Sequence, residues 1–257
     1  LSPTLTLFLL YIKYNFHQVA YFVQVTISHF YNTINFYYPL TIATNKKISI
    51  FALENRTNKI NHKTHKIMSI KGTATEKNLL KSFAGESQAR NRYTFFASVA
   101  KKEGFEQIAG VFTETADQEK EHAKKFFKYL EGGDLEITAT YPAGKIGTTK
   151  ENLLAAAMGE HEEWEVLYAE FAEVADKEGF PEIAETFRQI AKVEAEHERR
   201  YLKLLERVTE GTVFVRDNEI WWQCRNCGYI ILAKEAPMKC PACAHAQAYF
   251  EPKKENY

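Results

Sequence analysis

The stretch ETADQEKEHAK, residues 114–124, carries a Glu-x-x-His pair at Glu119 and His122 within a run of residues typical of a helix. The same pair recurs in EAEH at 194–197, with its glutamate 75 residues further along the chain. Residues i and i+3 share one face of an α-helix, so each pair presents both side chains in the same direction. Two copies at one spacing predict an internal repeat.

The repeat covers a whole pair of helices. Residues 75–208 are rich in Ala, Glu, Lys and Leu, and four apolar stripes at steps of three and four predict four amphipathic helices. Matching KEGF tetrapeptides at 102–105 and 177–180 predict two short turns, each with a glycine that ends a helix. The segment 132–150 is long enough to cross between the pairs. The pattern therefore predicts an all-α four-helix bundle with the one-crossover connectivity of ferritin-like folds.

One position is out of step between the two halves of the repeat. Tyr93 and Tyr168 lie 75 residues apart, as the KEGF copies do, whereas Glu86 and Glu160 lie 74 apart. The register therefore differs by one residue near the start of each unit.

Polar side chains interrupt the apolar stripes at seam positions where leucines are expected. A solvated face would explain one Glu-x-x-His in a glutamate-rich helix, but two copies in register favour a buried site. Buried unpaired carboxylates cost several kcal/mol each, so a cluster of them requires cations, and two divalent metals nearly balance the charge. Oxygen ligands with two imidazoles suit Fe or Mn better than structural zinc. The predicted ligands are Glu86, Glu119, His122, Glu160, Glu163, Glu194 and His197.

Two tyrosines lie on the same side of their helices as these residues. Tyr93 and Tyr168 each follow the first ligand of their helix by about two turns. They are either core aromatics or hydrogen-bond donors to ligand carboxylates, and the sequence leaves both roles open.

All four cysteines of the chain lie in two CxxC motifs, CRNC at 224–227 and CPAC at 240–243. Such a pair predicts a tetrahedral four-sulfur site for zinc or a single iron. Structural zinc is the alternative, but a redox-capable bundle on the same chain and nearby aromatic residues favour an electron-transferring iron. The aromatic residues are Trp221, Trp222, Tyr229, Tyr249 and Phe250, and the ligands are Cys224, Cys227, Cys240 and Cys243.

Residues 1–67 differ in composition from the rest, with one acidic residue against seven Lys or Arg. We interpret them as untranslated or mis-assigned upstream sequence preceding a start at Met68. A targeting or membrane-anchoring extension is the alternative. The remaining chain carries a net charge of about −6, which argues against binding nucleic acid by phosphate neutralisation. A charged fraction of 26% excludes a polytopic membrane protein, and the cysteine placement excludes a disulfide-stapled secreted scaffold.

The motifs together resemble the rubrerythrin family over residues 68–257. GESQARNRY at 85–93 and EGGDLEI at 131–137 contribute to the resemblance along with the Glu-x-x-His and CxxC motifs. Neither a ferritin nor a free-standing rubredoxin carries both parts. The resemblance implies a ferritin-like di-iron four-helix bundle at 68–210 and a small rubredoxin-like Fe(Cys)4 β domain at 217–257.

The resemblance also implies an activity. It implies a cytoplasmic non-haem di-iron peroxidase that reduces hydrogen peroxide to water in oxidative stress defence. Electrons would pass from NAD(P)H through a reductase and rubredoxin to the Fe(Cys)4 site. In such a protein Glu163 and His122 would be the catalytic residues, and one iron would shift between a glutamate and His122. The residues that would hold the iron pair are Glu86, Glu119, Glu160, Glu163, Glu194 and His197.

The implied assembly is a head-to-tail homodimer, in which one subunit's rubredoxin-like domain serves the other's iron pair, with no nucleic-acid or membrane partner. Two other functions are weighed. A ferritin-type ferroxidase would need neither the extra Glu163 nor an electron-transfer domain. An interaction protein with structural zinc would lack the iron absorption of the cysteine site.

Overall fold

The structure is a computed structural model that describes residues 68–256. These residues belong to one compact unit, Lys66–Tyr257. The segment 1–67, interpreted above as upstream sequence or an extension, lies outside the described residues.

Four helical rods form the bundle. Helix α1 spans Ala74–Lys102 and α2 spans Glu106–Phe127. The third rod is built of α3, Thr149–Glu162, a π-helical turn at Glu163–Leu167, and α4, Tyr168–Lys177. Helix α5 spans Pro181–Thr209 and packs along the third rod, while α1 packs along α2. The predicted four-helix bundle with a crossover between two hairpins is confirmed.

The two KEGF turns have the same backbone geometry. Gly104 and Gly179 adopt φ angles of +85° and +86°, a left-handed conformation that glycine tolerates best. The next residue in each turn bonds back into the helix, with Phe105 N donating to Ala100 O and Phe180 N to Ala175 O. Each turn is thus a glycine-capped helix end that reverses the chain, as the repeat predicts.

The bundle core is divided into two apolar clusters. One contains Tyr93, Phe112 and Tyr201, and the other contains Phe126 and Phe187, each with further aliphatic residues. In every rod the predicted ligands lie along the sequence between the residues of one cluster and those of the other. The polar side chains therefore form a layer with packed apolar side chains on both sides.

A three-stranded antiparallel sheet forms the C-terminal domain. Strand β1 spans Val215–Cys224, β2 spans Ile230–Glu235 and β3 spans Phe250–Pro252, in the order β2-β1-β3. The small β domain that follows the bundle in the predicted fold class is confirmed. The domain contacts the bundle where the rings of Phe105 and Phe214 stack at 6.2 Å.

Candidate metal centres

Six of the seven predicted bundle ligands converge in the polar layer. They form two groups of four, and within each group the possible ligand atoms all lie within 4.8 Å of one another. The groups are Glu86, Glu119, His122 and Glu194, and Glu119, Glu160, Glu194 and His197. Glu119 and Glu194 belong to both groups, so both carboxylates would help to hold each of two cations bound here.

Both tyrosines of the repeat contact the carboxylates of the opposite hairpin. The Tyr93 hydroxyl donates to Glu160 Oε1 at 2.6 Å, and the Tyr168 hydroxyl donates to Glu86 Oε1. Both tyrosines are also fully packed in the apolar clusters. Each tyrosine therefore has both of the roles that the sequence left open, because its ring packs in the core while its hydroxyl orients a carboxylate.

Burial and mutual repulsion disfavour charge on three of the carboxylates. Burial raises the pKa of Glu86, Glu160 and Glu163 well above the ordinary value for glutamate, and the neighbouring charges of Glu119 and Glu194 act in the same direction. Glu163 shows this shift although the residue as a whole is only half-buried. Without cations the layer therefore holds protons.

The pKa values of the two histidines are also raised, which favours their charged form. Burial alone would lower the pKa of His122 and His197, but the close carboxylates of Glu119 and Glu194 raise the values to about 10 and about 9. Burial alone would raise the pKa of Glu119, but the two close imidazoles outweigh burial and lower it. Bound divalent cations would replace these protons.

Buried ligand atoms without hydrogen-bond partners test whether cations fit. His197 Nδ1 lies 2.7 Å from Glu194 Oε2 and 3.2 Å from Glu119 Oε1, yet it has no hydrogen-bond geometry to any described group. Both Glu194 oxygens and Glu160 Oε2 are unpaired in the same way. Buried polar atoms are normally paired, so atoms that converge without pairing fit a bound cation. Carboxylates with two imidazoles suit Fe or Mn.

Gln118 is a residue that the sequence analysis missed. Its Oε1 accepts from His197 Nε2–H at 2.9 Å, which orients the ring so that Nδ1 faces the carboxylates and would be free to bind a cation in place of its proton. The only sequence feature that pointed to Gln118 was its position directly before Glu119. That position does not distinguish a glutamine of the site from one on the surface.

Glu163 lies beside the two groups and belongs to neither. It begins the π-helical turn, and the charge of its carboxylate contributes to the raised pKa of Glu160. The extra residue accommodated by this turn lies between Glu160 and Tyr168, where the two halves of the repeat differ by one position. The turn therefore explains the register step, and π-turns of this kind are frequent at functional sites.

The four cysteines converge in the C-terminal domain. Cys224 Sγ lies 3.8 Å from Cys243 Sγ, and Cys227 Sγ lies 3.6 Å from Cys240 Sγ. Metal–sulfur bonds of about 2.3 Å in a tetrahedron place sulfurs about 3.8 Å apart, whereas a disulfide requires about 2 Å. The spacing fits one tetrahedral metal. A hydrogen bond from the His245 backbone N–H lowers the pKa of Cys243 to about 6, which favours a thiolate ligand.

The aromatic shell predicted around the cysteines is only partly present. Trp222 and Phe250 are buried with Cys224 and Cys240, but Trp221 is 50% exposed. Adjacent residues of a strand point to opposite faces of the sheet, so Trp221 and Trp222 do not both shield the site.

The rubrerythrin family model matches residues 77–205, and the model of the rubrerythrin rubredoxin-like domain matches residues 222–251. The rubrerythrin of Porphyromonas gingivalis is 72% identical over 198 residues, which cover 77% of this chain and 99% of that protein. The chain belongs to the rubrerythrin family. The rubrerythrin of Nitratidesulfovibrio vulgaris is 56% identical over 183 residues, covering 71% of this chain and 96% of that protein. A solved structure of fully reduced, all-ferrous nigerythrin has 28% sequence identity and a TM-score of 0.48, covering 83% of this chain and 98% of that one.

Rubrerythrin membership confirms the predicted family and the ferritin-like bundle followed by a rubredoxin-like domain. It also confirms the cofactors as a di-iron carboxylate and histidine site and a rubredoxin-like four-cysteine site. Rubrerythrins are di-iron proteins implicated in oxidative stress defence and are generally oxidoreductases. The rubredoxin-like domain points to redox partners. Among the described residues, the structure has no helix that is both long and apolar enough to span a membrane.

Proposed function

We propose that this rubrerythrin is a peroxidase that reduces hydrogen peroxide to water, with residues 68–210 as the catalytic di-iron domain and 217–257 as the electron-transfer domain. One peroxide, two electrons and two protons give two molecules of water. The observation that carries the proposal is the presence in one chain of a buried two-position carboxylate layer and a four-cysteine site. A storage ferroxidase needs no such port for incoming electrons.

The proposed electron route starts at NAD(P)H and passes through a separate reductase and rubredoxin to the four-cysteine site. We place the protein in the cytoplasm as a head-to-tail homodimer in which each rubredoxin-like domain serves the partner's di-iron site. When bound, the iron pair supplies the two electrons that reduce peroxide. The four-cysteine iron would then re-reduce the iron pair, one electron at a time. The six converging residues and Glu163 are the proposed ligands.

A cavity of about 390 Å³ gives peroxide a route to the layer. It is lined by Glu163 and Tyr168 of the third rod and by Tyr141 of the crossover segment. The Tyr141 hydroxyl donates to Lys81 O at 2.8 Å, which ties the crossover to α1. The cavity has ample volume for hydrogen peroxide, since one water occupies about 30 Å³ in the liquid.

Glu163 and His122 are the proposed catalytic residues. Glu163 lines the cavity and interacts with the carboxylates of the layer, so its carboxyl is placed to deliver a proton to peroxide and to take one from solvent. His122 Nδ1 lies 2.8 Å from Glu194 Oε1 and 3.0 Å from Glu119 Oε2, so it can bind a cation that moves away from a glutamate.

Replacing Glu163 or His122 by Ala is expected to lower peroxide turnover about 100-fold, the usual size of a lost proton-transfer group. The absorption of the four-cysteine site should be unchanged, because neither residue contacts the β domain. Stopped-flow oxidation of the reduced protein by anaerobic peroxide measures the effect.

The matched control is Glu165→Ala, an exposed glutamate of the same π-turn, which should retain normal turnover. Undiminished turnover in both Glu163→Ala and His122→Ala would contradict their assignment. Faster oxidation of the reduced wild-type protein by O2 than by peroxide would favour the ferroxidase instead.

A further inference from the structure

A second set of polar contacts lies outside the metal layer. It consists of His161, Trp164 and Glu198, which directly follow Glu160, Glu163 and His197 in the sequence, and we call it the latch. The Trp164 indole Nε1–H donates to Glu198 Oε2 at 2.6 Å. His161 Nδ1 lies 3.1 Å from Glu198 Oε1. One carboxylate on α5 therefore contacts both ring side chains of the latch.

The latch spans the point where α3 becomes the π-turn. His161 belongs to the last turn of α3 and Trp164 to the π-turn itself. Their rings meet edge to face with centroids 5.2 Å apart. The Glu198 side chain is 17% exposed, so its contact with Trp164 is largely shielded from water. A charge-assisted hydrogen bond in such a setting is stronger than one between neutral groups.

The π-turn begins at Glu163, and Trp164 is its second residue. A π-turn carries an extra residue that an α-helix would accommodate by rotating the following side chains by about 100°. That change would alter the backbone directly after Glu163, whose side chain lines the cavity. The residue next to Glu163 is tied to α5 by the latch, and this tie opposes the rotation.

We propose that Trp164 is a positioning residue that holds the π-turn against α5 and so presents Glu163 to the metal layer. It belongs to neither group of four converging residues and acts through Glu163 alone. The inference rests on the proposed role of Glu163 as a ligand and proton donor.

Trp164→Phe in the full-length, iron-loaded protein tests the inference, because it removes the indole donor and keeps a ring. We expect kcat for peroxide to fall about tenfold, the scale of a lost hydrogen bond to a charged group, with KM changed less than about twofold. The Mössbauer spectrum of the ⁵⁷Fe-loaded bundle should show an altered signal for one iron of the pair. That readout would not respond to a general loss of stability.

Glu198 gives an independent approach should Trp164→Phe fold poorly. Glu198→Gln keeps an acceptor for the indole and should resemble wild type, whereas Glu198→Ala should reproduce the Trp164→Phe spectrum. Because both residues act through one bond, the double variant should be no worse than either single one. Trp221→Phe, at an exposed tryptophan of β1, is the matched control and should change neither readout.

Two outcomes distinguish a failure of the positioning role of the latch from a failure of the proposed role of Glu163. If Glu163→Ala alters the spectrum and turnover but Trp164→Phe and Glu198→Ala alter neither, the latch does not position Glu163 and the inference is overturned. If Glu163→Ala itself alters neither, the proposed role of Glu163 fails and the inference fails with it.

Discussion

Replacing Glu119 by Ala is expected to remove both iron positions of the bundle, whereas replacing Glu86 by Ala removes one. Glu119 belongs to both groups of four, while Glu86 belongs only to the group that contains His122. Glu119 is fully buried and contacts both imidazoles, at 3.0 Å from His122 Nδ1 and 3.2 Å from His197 Nδ1. Its loss therefore takes a ligand from each position and leaves both histidines without their shared acceptor.

Iron analysis and peroxide turnover measure this difference. Glu119→Ala should bind iron only at the cysteine site, and turnover should fall by at least about 100-fold because no complete site remains. Glu86→Ala should retain about one bundle iron. Glu121→Ala, an exposed glutamate two residues away, controls for helix effects and should keep both. Two bundle irons in Glu119→Ala would refute the sharing of Glu119 between the two positions.

The metal-free protein is expected to lose stability as the pH rises from 6 to 9, and the iron-loaded protein is not. Folding raises the pKa of His122 to about 10 and of His197 to about 9, against about 6.5 in the unfolded chain. A group whose pKa rises on folding stabilises the fold below its unfolded pKa. That contribution is lost as the pH rises through the folded pKa.

The three buried carboxylates also lower the stability of the metal-free protein as the pH rises, and their effect begins at a lower pH than that of the histidines. Glu86, Glu160 and Glu163 have raised pKa values, so their contribution begins to fall above about pH 4.3. The depressed pKa of Glu119 has the opposite sign, but its contribution is already complete above that pH. Together these groups should lower the free energy of unfolding by several kcal/mol between pH 6 and 9.

Urea unfolding followed by helical circular dichroism measures this slope in the chelator-treated full-length chain. Glu160→Gln should have a shallower slope between pH 4.5 and 9, because a neutral amide cannot lose a proton there. Bound cations replace the protons, so iron loading should abolish the slope at neutral pH and release protons to the buffer. A metal-free protein more stable at pH 9 than at pH 6 would contradict the charge distribution described here.

The sequence was sufficient to predict the repeat and to predict which polar residues point into the bundle. Glu119 and His197 stand at apolar-stripe positions, and period alone places such residues on the core side. The one-residue step between Glu86/Glu160 and Tyr93/Tyr168 also signalled an irregularity in the third rod. It could not say that the irregularity is a π-turn, because helix type depends on which backbone hydrogen bonds form.

Contacts between rods were beyond sequence reasoning. Gln118 and Trp164 each meet a partner on another rod, and neither belongs to a repeated motif. Their roles follow from the rotation of one helix relative to the next, which side-chain packing decides. The exposure of Trp221 was predictable from strand alternation, once β1 was known to extend through both tryptophans.

The reciprocal tyrosine bonds give the centre an approximate twofold symmetry. Each hairpin supplies one tyrosine to the other's first carboxylate, through Tyr93 to Glu160 and Tyr168 to Glu86. The π-turn breaks this equivalence, because only the second hairpin carries the inserted residue and Glu163. The two halves of the centre are therefore not interchangeable, and a pair of chemically identical metal ions would occupy inequivalent surroundings from the moment they bind.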